Sequence, residues 1–100
     1  MFQWQESSND DRRRLEAISS ILHNNSNLLG FMFSKREARL NGSSEQILRA
    51  AGEFSTSEQV LIQVALDIWD GSGETKLMDI YQRLDWPHTV NILKTLAKFM

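Results

Sequence analysis

Apolar residues recur through this chain at three- and four-residue intervals, the spacing that lines up one face of an α-helix. Leu15, Ile18, Leu22, Leu29 and Met32 fall at the a and d positions of a heptad, with Asn25 at the missing d position. One long helix reaching Leu40 satisfies that pattern. The run His23-Asn24-Asn25-Ser26-Asn27 opposes it, because these residues form helices poorly and bond readily to backbone in turns and caps. The polar run favours a break, giving helices over 10–23 and 27–40. Ser8 or Asn9 is placed to cap the first, with Asp10 and Asp11 at its positive end. Asn41-Gly42 supplies a left-handed stop for the second. Residues 1–9 read as a frayed tail in which Phe2 and Trp4 are placed to anchor on the core.

Ser43 or Ser44 opens a short helix within 43–52 that carries Ile47, Leu48 and Ala51 on one side and stops at Gly52. Ser55-Thr56-Ser57-Glu58 has the form of a capping box, in which Ser55 and Glu58 satisfy each other's free backbone amides. The helix that follows, over 56–69, has a narrow polar stripe of Gln59, Gln63, Asp67 and Asp70 and is apolar almost everywhere else. A helix with so little polar surface needs neighbours on at least two sides. The C-terminal helices can cover one side. The other falls either to the N-terminal helices, which makes 56–69 the centre of a monomer, or to a second copy of the chain, which makes it a dimer seam.

Beyond Asp70-Gly71-Ser72-Gly73, Thr75 can cap a helix whose Leu77, Ile80, Tyr81 and Leu84 lie at i, i+3, i+4 and i+7. Asp85-Trp86-Pro87 ends that helix and starts another, since proline is tolerated in a first turn where its missing amide proton has no partner. The last helix is expected to bury Val90, Leu93, Leu96 and Ala97 and to leave His88, Asn91, Lys94, Thr95 and Lys98 outside, with Ile92 and Phe99 between the faces. The expected fold is all-α: a compact bundle of five or six short helices in one domain over 1–100. Its parts are the tail, an N-terminal helical region over 10–41, the short helix and a trihelical unit over 55–100.

That unit resembles the helix-turn-helix of winged-helix regulators of the MarR type. Ser55-Thr56-Ser57-Glu58 with Val60 to Trp69 is similar to the family's first helix, Leu77, Ile80 and Leu84 to the inward residues of its support helix, and Thr89-Val90-Asn91 with Leu93 and Leu96 to its recognition helix. The resemblance implies a helix over 87–99 entering the major groove, with His88, Asn91, Lys94, Thr95 and Lys98 as readers and Arg83 and Lys76 on phosphates. It covers fewer than half of the residues. Asp85 stands where the family's turn usually has glycine, no arginine lies on the reading helix, and no wing follows within the 100 residues.

Charge bears on that implication. The formal net charge is −2, and residues 56–100 hold four basic and six acidic side chains against seven and seven in 1–55. Duplex binding draws most of its non-specific affinity from neutralising phosphates, so the segment most like a DNA reader is the acidic part of the chain. Arg12-Arg13-Arg14 lies among Asp10, Asp11 and Glu16 at helical pairing distances, and Lys35, Arg36, Arg39 and Arg49 read as a cluster near a helix end. Asp70-Gly71-Ser72-Gly73-Glu74 fails as a calcium loop because its ligand positions fall on Ile68 and Asp79. Arg83 and His88 have a spacing found in some helical ribonucleases, yet they span a proline turn.

At 41% apolar and 24% charged, the composition is that of a soluble globular chain. There is no cysteine, no apolar run of membrane-spanning length, and a polar, acidic start where a signal peptide would be basic and then apolar, so the expected location is cytoplasmic. The functional expectation is a small non-enzymatic helical binding module, a protein-interaction or regulatory subunit with no cofactor, metal or small-molecule ligand. Its expected partner is a protein or a second copy, through Ile62, Leu66, Trp69, Trp86 and Phe99. The alternative is the helix-turn-helix DNA reader.

Overall fold

The computed structural model describes residues 9–22 and 25–99, with the backbone alone at Phe99. The expected tail contacts of Phe2 and Trp4, and His23 and Asn24 of the polar run, lie outside the described residues. The described residues form six α-helices and one 3-10 turn: α1 (Asn9–Ile21), α2 (Ser26–Met32), α3 (Ser44–Ala50), the 3-10 turn Ala51–Glu53, α4 (Thr56–Asp70), α5 (Leu77–Arg83) and α6 (Trp86–Phe99). The fold is all-α, as the periodicity predicts, and α1 and α2 are separate helices.

The helix expected over 27–40 ends at Met32. Phe33 turns extended and enters the core, where its ring meets Trp69 edge to face at 5.2 Å. The chain then doubles back through a single antiparallel bridge between Phe33 and Leu40. Two local hydrogen-bond systems compete with the helix there. The Ser34 hydroxyl accepts the amides of Arg36 and Glu37, and the Asn41 side chain donates to the carbonyls of Gly30 and Phe31 at the helix end. The stop is therefore made by the Asn41 side chain; Gly42 takes no left-handed conformation.

Serine capping boxes begin α3 and α4. Ser43 exchanges bonds with Gln46, and Ser55 exchanges them with Glu58. α4 stops at Gly71, whose φ of 79° lies in the left-handed region where a Cβ is costly. Within one chain α4 packs against α1, α2, α3 and α5, and Ile62, Ala65 and Leu66 are wholly buried. Both flanks of this apolar helix are covered intramolecularly, so it is the centre of the monomer and the dimer-seam alternative fails. α6 makes its main contact with α1. Among the described residues no helix is long and apolar enough to cross a membrane.

Candidate protein-binding surface

The seating of α6 determines what this molecule presents to solvent. Asn91 Nδ2 donates to the Ser20 carbonyl at 3.0 Å, and the Thr95 hydroxyl lies 3.3 Å from the Ser20 hydroxyl. Ser20 sits in the last turn of α1, where backbone carbonyls have no partner within their own helix. Asn91 and Thr95 are one turn apart on α6, so together they fasten the helix to that turn. Thr95 and Ile92 are consequently buried.

The face expected inside is turned outward. Trp86, Val90, Leu93 and Ala97, at i, i+4, i+7 and i+11, form an apolar stripe in which Trp86 is 74% and Leu93 59% exposed, Ala97 is exposed and Val90 half-buried. Burial of Val90, Leu93 and Ala97 was read from spacing that identifies a stripe without saying what covers it. Of the expected inner set, Leu96 is half-buried and lies against the core, while Ile92 takes the central place.

α5 differs from expectation in the same sense. None of its residues is buried; Leu77 is 84% exposed and Tyr81 80%, with Met78 exposed beside them. Leu84, just past the helix, is buried, and Ile80 packs partly against the core. Thr75 makes no side-chain cap, and Lys76 occupies the capping position.

α5 is held in place from α4. The Asp67 carboxylate accepts the backbone amides of Gly73 at 2.9 Å, Glu74 at 3.1 Å and Thr75 at 2.9 Å. Partial burial raises the Asp67 pKa. The Thr75 hydroxyl, buried beside the carboxylate though outside hydrogen-bond geometry, and the three amides more than offset this, so the group titrates below its ordinary value. Gly73 comes so near α4 that a Cβ there would lie 1.8 Å from the Gln63 carbonyl oxygen. The glycine-rich turn is thus a hydrogen-bonded latch on the polar stripe of α4, and among the described residues no three His, Asp or Glu side chains converge as a metal site would need.

Between α5 and α6 lies an open cleft of about 530 Å³, in the size range of ligand pockets. Val64 and Ile68 of α4 line it with Leu77 and Ile80 on the α5 side and Ile92 and Leu96 on the α6 side; Asp10, Arg13 and Arg14 of α1 also border it. Leu77, exposed on α5, lines this cleft, and the outer stripe of α6 runs along the helix whose Ile92 and Leu96 form the other wall.

The residues of α6 implied as DNA readers lie on one side of the helix by spacing, but that side is not presented to solvent as a whole. Asn91 and Thr95 bond to α1. His88 lies against an acidic neighbour, its Nδ1 2.6 Å from Asp85 Oδ1, and its amide donates to the same oxygen. Asp85 is therefore the cap of α6, and the His88 amide, then its ring, lowers the Asp85 pKa. Arg83 pairs with Asp79. Lys76, Lys94 and Lys98 are exposed. In the other basic clusters Arg14 pairs with Asp11, Arg39 with Glu37 and Arg49 with Glu45.

Of the expected protein-contact residues, Ile62 and Leu66 are wholly buried and unavailable to a partner, and Trp69 is half-buried against Phe33. They are apolar because α4 is enclosed. Trp86 is the one described residue of that set that stands on the surface, and the Phe99 side chain lies outside the described residues. Leu77, Met78, Tyr81 and Leu93 are surface residues that the sequence reading placed inside or passed over. No protein-family model, curated protein or solved structure matches this chain.

Proposed function

We propose that this chain is a non-enzymatic protein-binding module whose contact surface is α5 together with the outer stripe of α6. The observation that carries the reading is the exposure of Trp86 and Leu93 on one apolar stripe while Asn91 and Thr95, two of the polar residues of the helix, are used inside. Leu77, Met78, Tyr81, Trp86 and Leu93 together expose on the order of 600 Å² of largely apolar surface, at the upper end for a monomer's largest patch. A standard interface takes about 800 Å² from each partner, so these five side chains supply most of one partner's share. Aromatic residues and the absence of charge at the centre are the features that set interface cores apart from ordinary surface.

A photo-crosslinking amino acid at position 93 or 81, compared with position 53, exposed on the 3-10 turn before α4, tests this in the chain's own cell. Protein adducts from 93 and 81 but not from 53 support it, and equal adducts or none oppose it. Duplex binding that weakens steeply with salt and is lost in Lys94→Glu/Lys98→Glu would instead assign the chain to DNA.

A further inference from the structure

We propose that the partner of this surface is a second copy of the same chain, docked about a two-fold axis so that each α6 stripe lies in the cleft of the other copy. This rests on the surface being protein-binding. A two-fold interface uses one patch twice, and so the patch must carry both a projection and a recess. This one does. Ile92 and Leu96 form the α6 wall of the cleft, and Leu93, between them in sequence, belongs to the adjoining ridge.

Most of the recess is apolar, with Asp67 and Thr75 also in its lining and Asp10, Arg13 and Arg14 at its border, and the ridge of Trp86, Val90, Leu93 and Ala97 runs along the helix that forms one wall. Seating the ridge also covers Ile68, Ile80 and Leu96, which are half-buried in the cleft, and so adds to the area each copy contributes towards the roughly 800 Å² of a stable interface. A small apolar ligand in the cleft would leave Trp86, Tyr81 and Leu93 in water. Charge points the same way. Asp10 borders the cleft, and Lys94 flanks the ridge about 100° round the helix from Leu93. Neither forms an ion pair with a described residue of its own chain. The two-fold arrangement brings Lys94 of each copy towards Asp10 of the other.

Light scattering on the full chain, from low micromolar to a few hundred micromolar, is expected to give twice the chain mass. Leu93→Glu on the ridge and Leu77→Glu on the cleft wall should both give the single-chain mass with unchanged helical circular dichroism; Leu93→Ser provides a milder ridge variant. Asp10→Lys and Lys94→Glu should each weaken the dimer at least tenfold, and the double variant should restore it. A single-chain mass for the wild type at every concentration, a dimer that survives Leu93→Glu and Leu77→Glu, or a double variant no better than the singles would overturn the proposal. A monomer that still crosslinks a different protein through position 93 refutes the dimer alone. A monomer without such adducts refutes the binding surface as well.

Discussion

Asn91 of α6 donates its side-chain amide to the backbone carbonyl of Ser20, 71 residues earlier, and this bond sets which face of the C-terminal helix meets solvent. Removing it by Asn91→Ala leaves a helix-end carbonyl without its partner, with an expected loss of about 1 kcal/mol, or roughly 4–8 °C in melting temperature for a domain of this size. Glu53→Ala, at an exposed position of the 3-10 turn, should stay within about 0.5 kcal/mol of wild type. Urea unfolding of the two variants measures the difference. Equal stabilities would mean that Asn91 makes no structural contact.

Asp67 gives a second expectation, this one dependent on pH. Its carboxylate holds the amides of Gly73, Glu74 and Thr75, and its pKa lies below the ordinary 3.8. A depressed carboxyl pKa means that the unfolded chain takes up the proton more readily than the folded one. Its contribution is therefore complete above the ordinary value and is lost as pH falls through the folded value. Asp67→Asn should cost about 1–3 kcal/mol at neutral pH. The gap between variant and wild type should close on acidification below the ordinary carboxyl value, which paired denaturant titrations along a pH series would show.

Gly73 is fixed by close approach. A methyl group there would sit 1.8 Å from the Gln63 carbonyl oxygen, so Gly73→Ala must push the latch off α4. The expected cost is about 1–3 kcal/mol, as for overpacked sites, with faster amide exchange at residues 73–75. Gly52→Ala, where a Cβ meets nothing within 4 Å, is the matched control and should cost much less.

The two capping boxes were legible because each is a complete local device, with donor and acceptor three residues apart. The enclosed character of α4 was legible for a related reason: its polar stripe is too narrow for any surface position. The end of α2 was not. It depends on Phe33 finding Trp69 and on Asn41 reaching back to Gly30 and Phe31, contacts that no local pattern contains. The seating of α6 was misread because its apolar stripe and its Asn91–Thr95 pair are both one-sided patterns. The pair meets the last turn of α1, and that partner lies far away in sequence. The surviving clue was an asparagine and a threonine one turn apart, uncharged polar residues that suit a neighbouring helix end as well as solvent.

The orientation of α6 can be tested most directly by thiol labelling, because the chain has no cysteine and each introduced one reports alone. Cysteine is placed at Leu93 or at Ile92, and the modification rate is measured in dilute solution and again after concentration. Leu93→Cys should react at the rate of a free thiol when dilute and slow when concentrated, as the surface is covered; Ile92→Cys should be protected throughout. Fast labelling at Ile92 with protection at Leu93 in dilute solution would place the apolar stripe in the core and contradict the account.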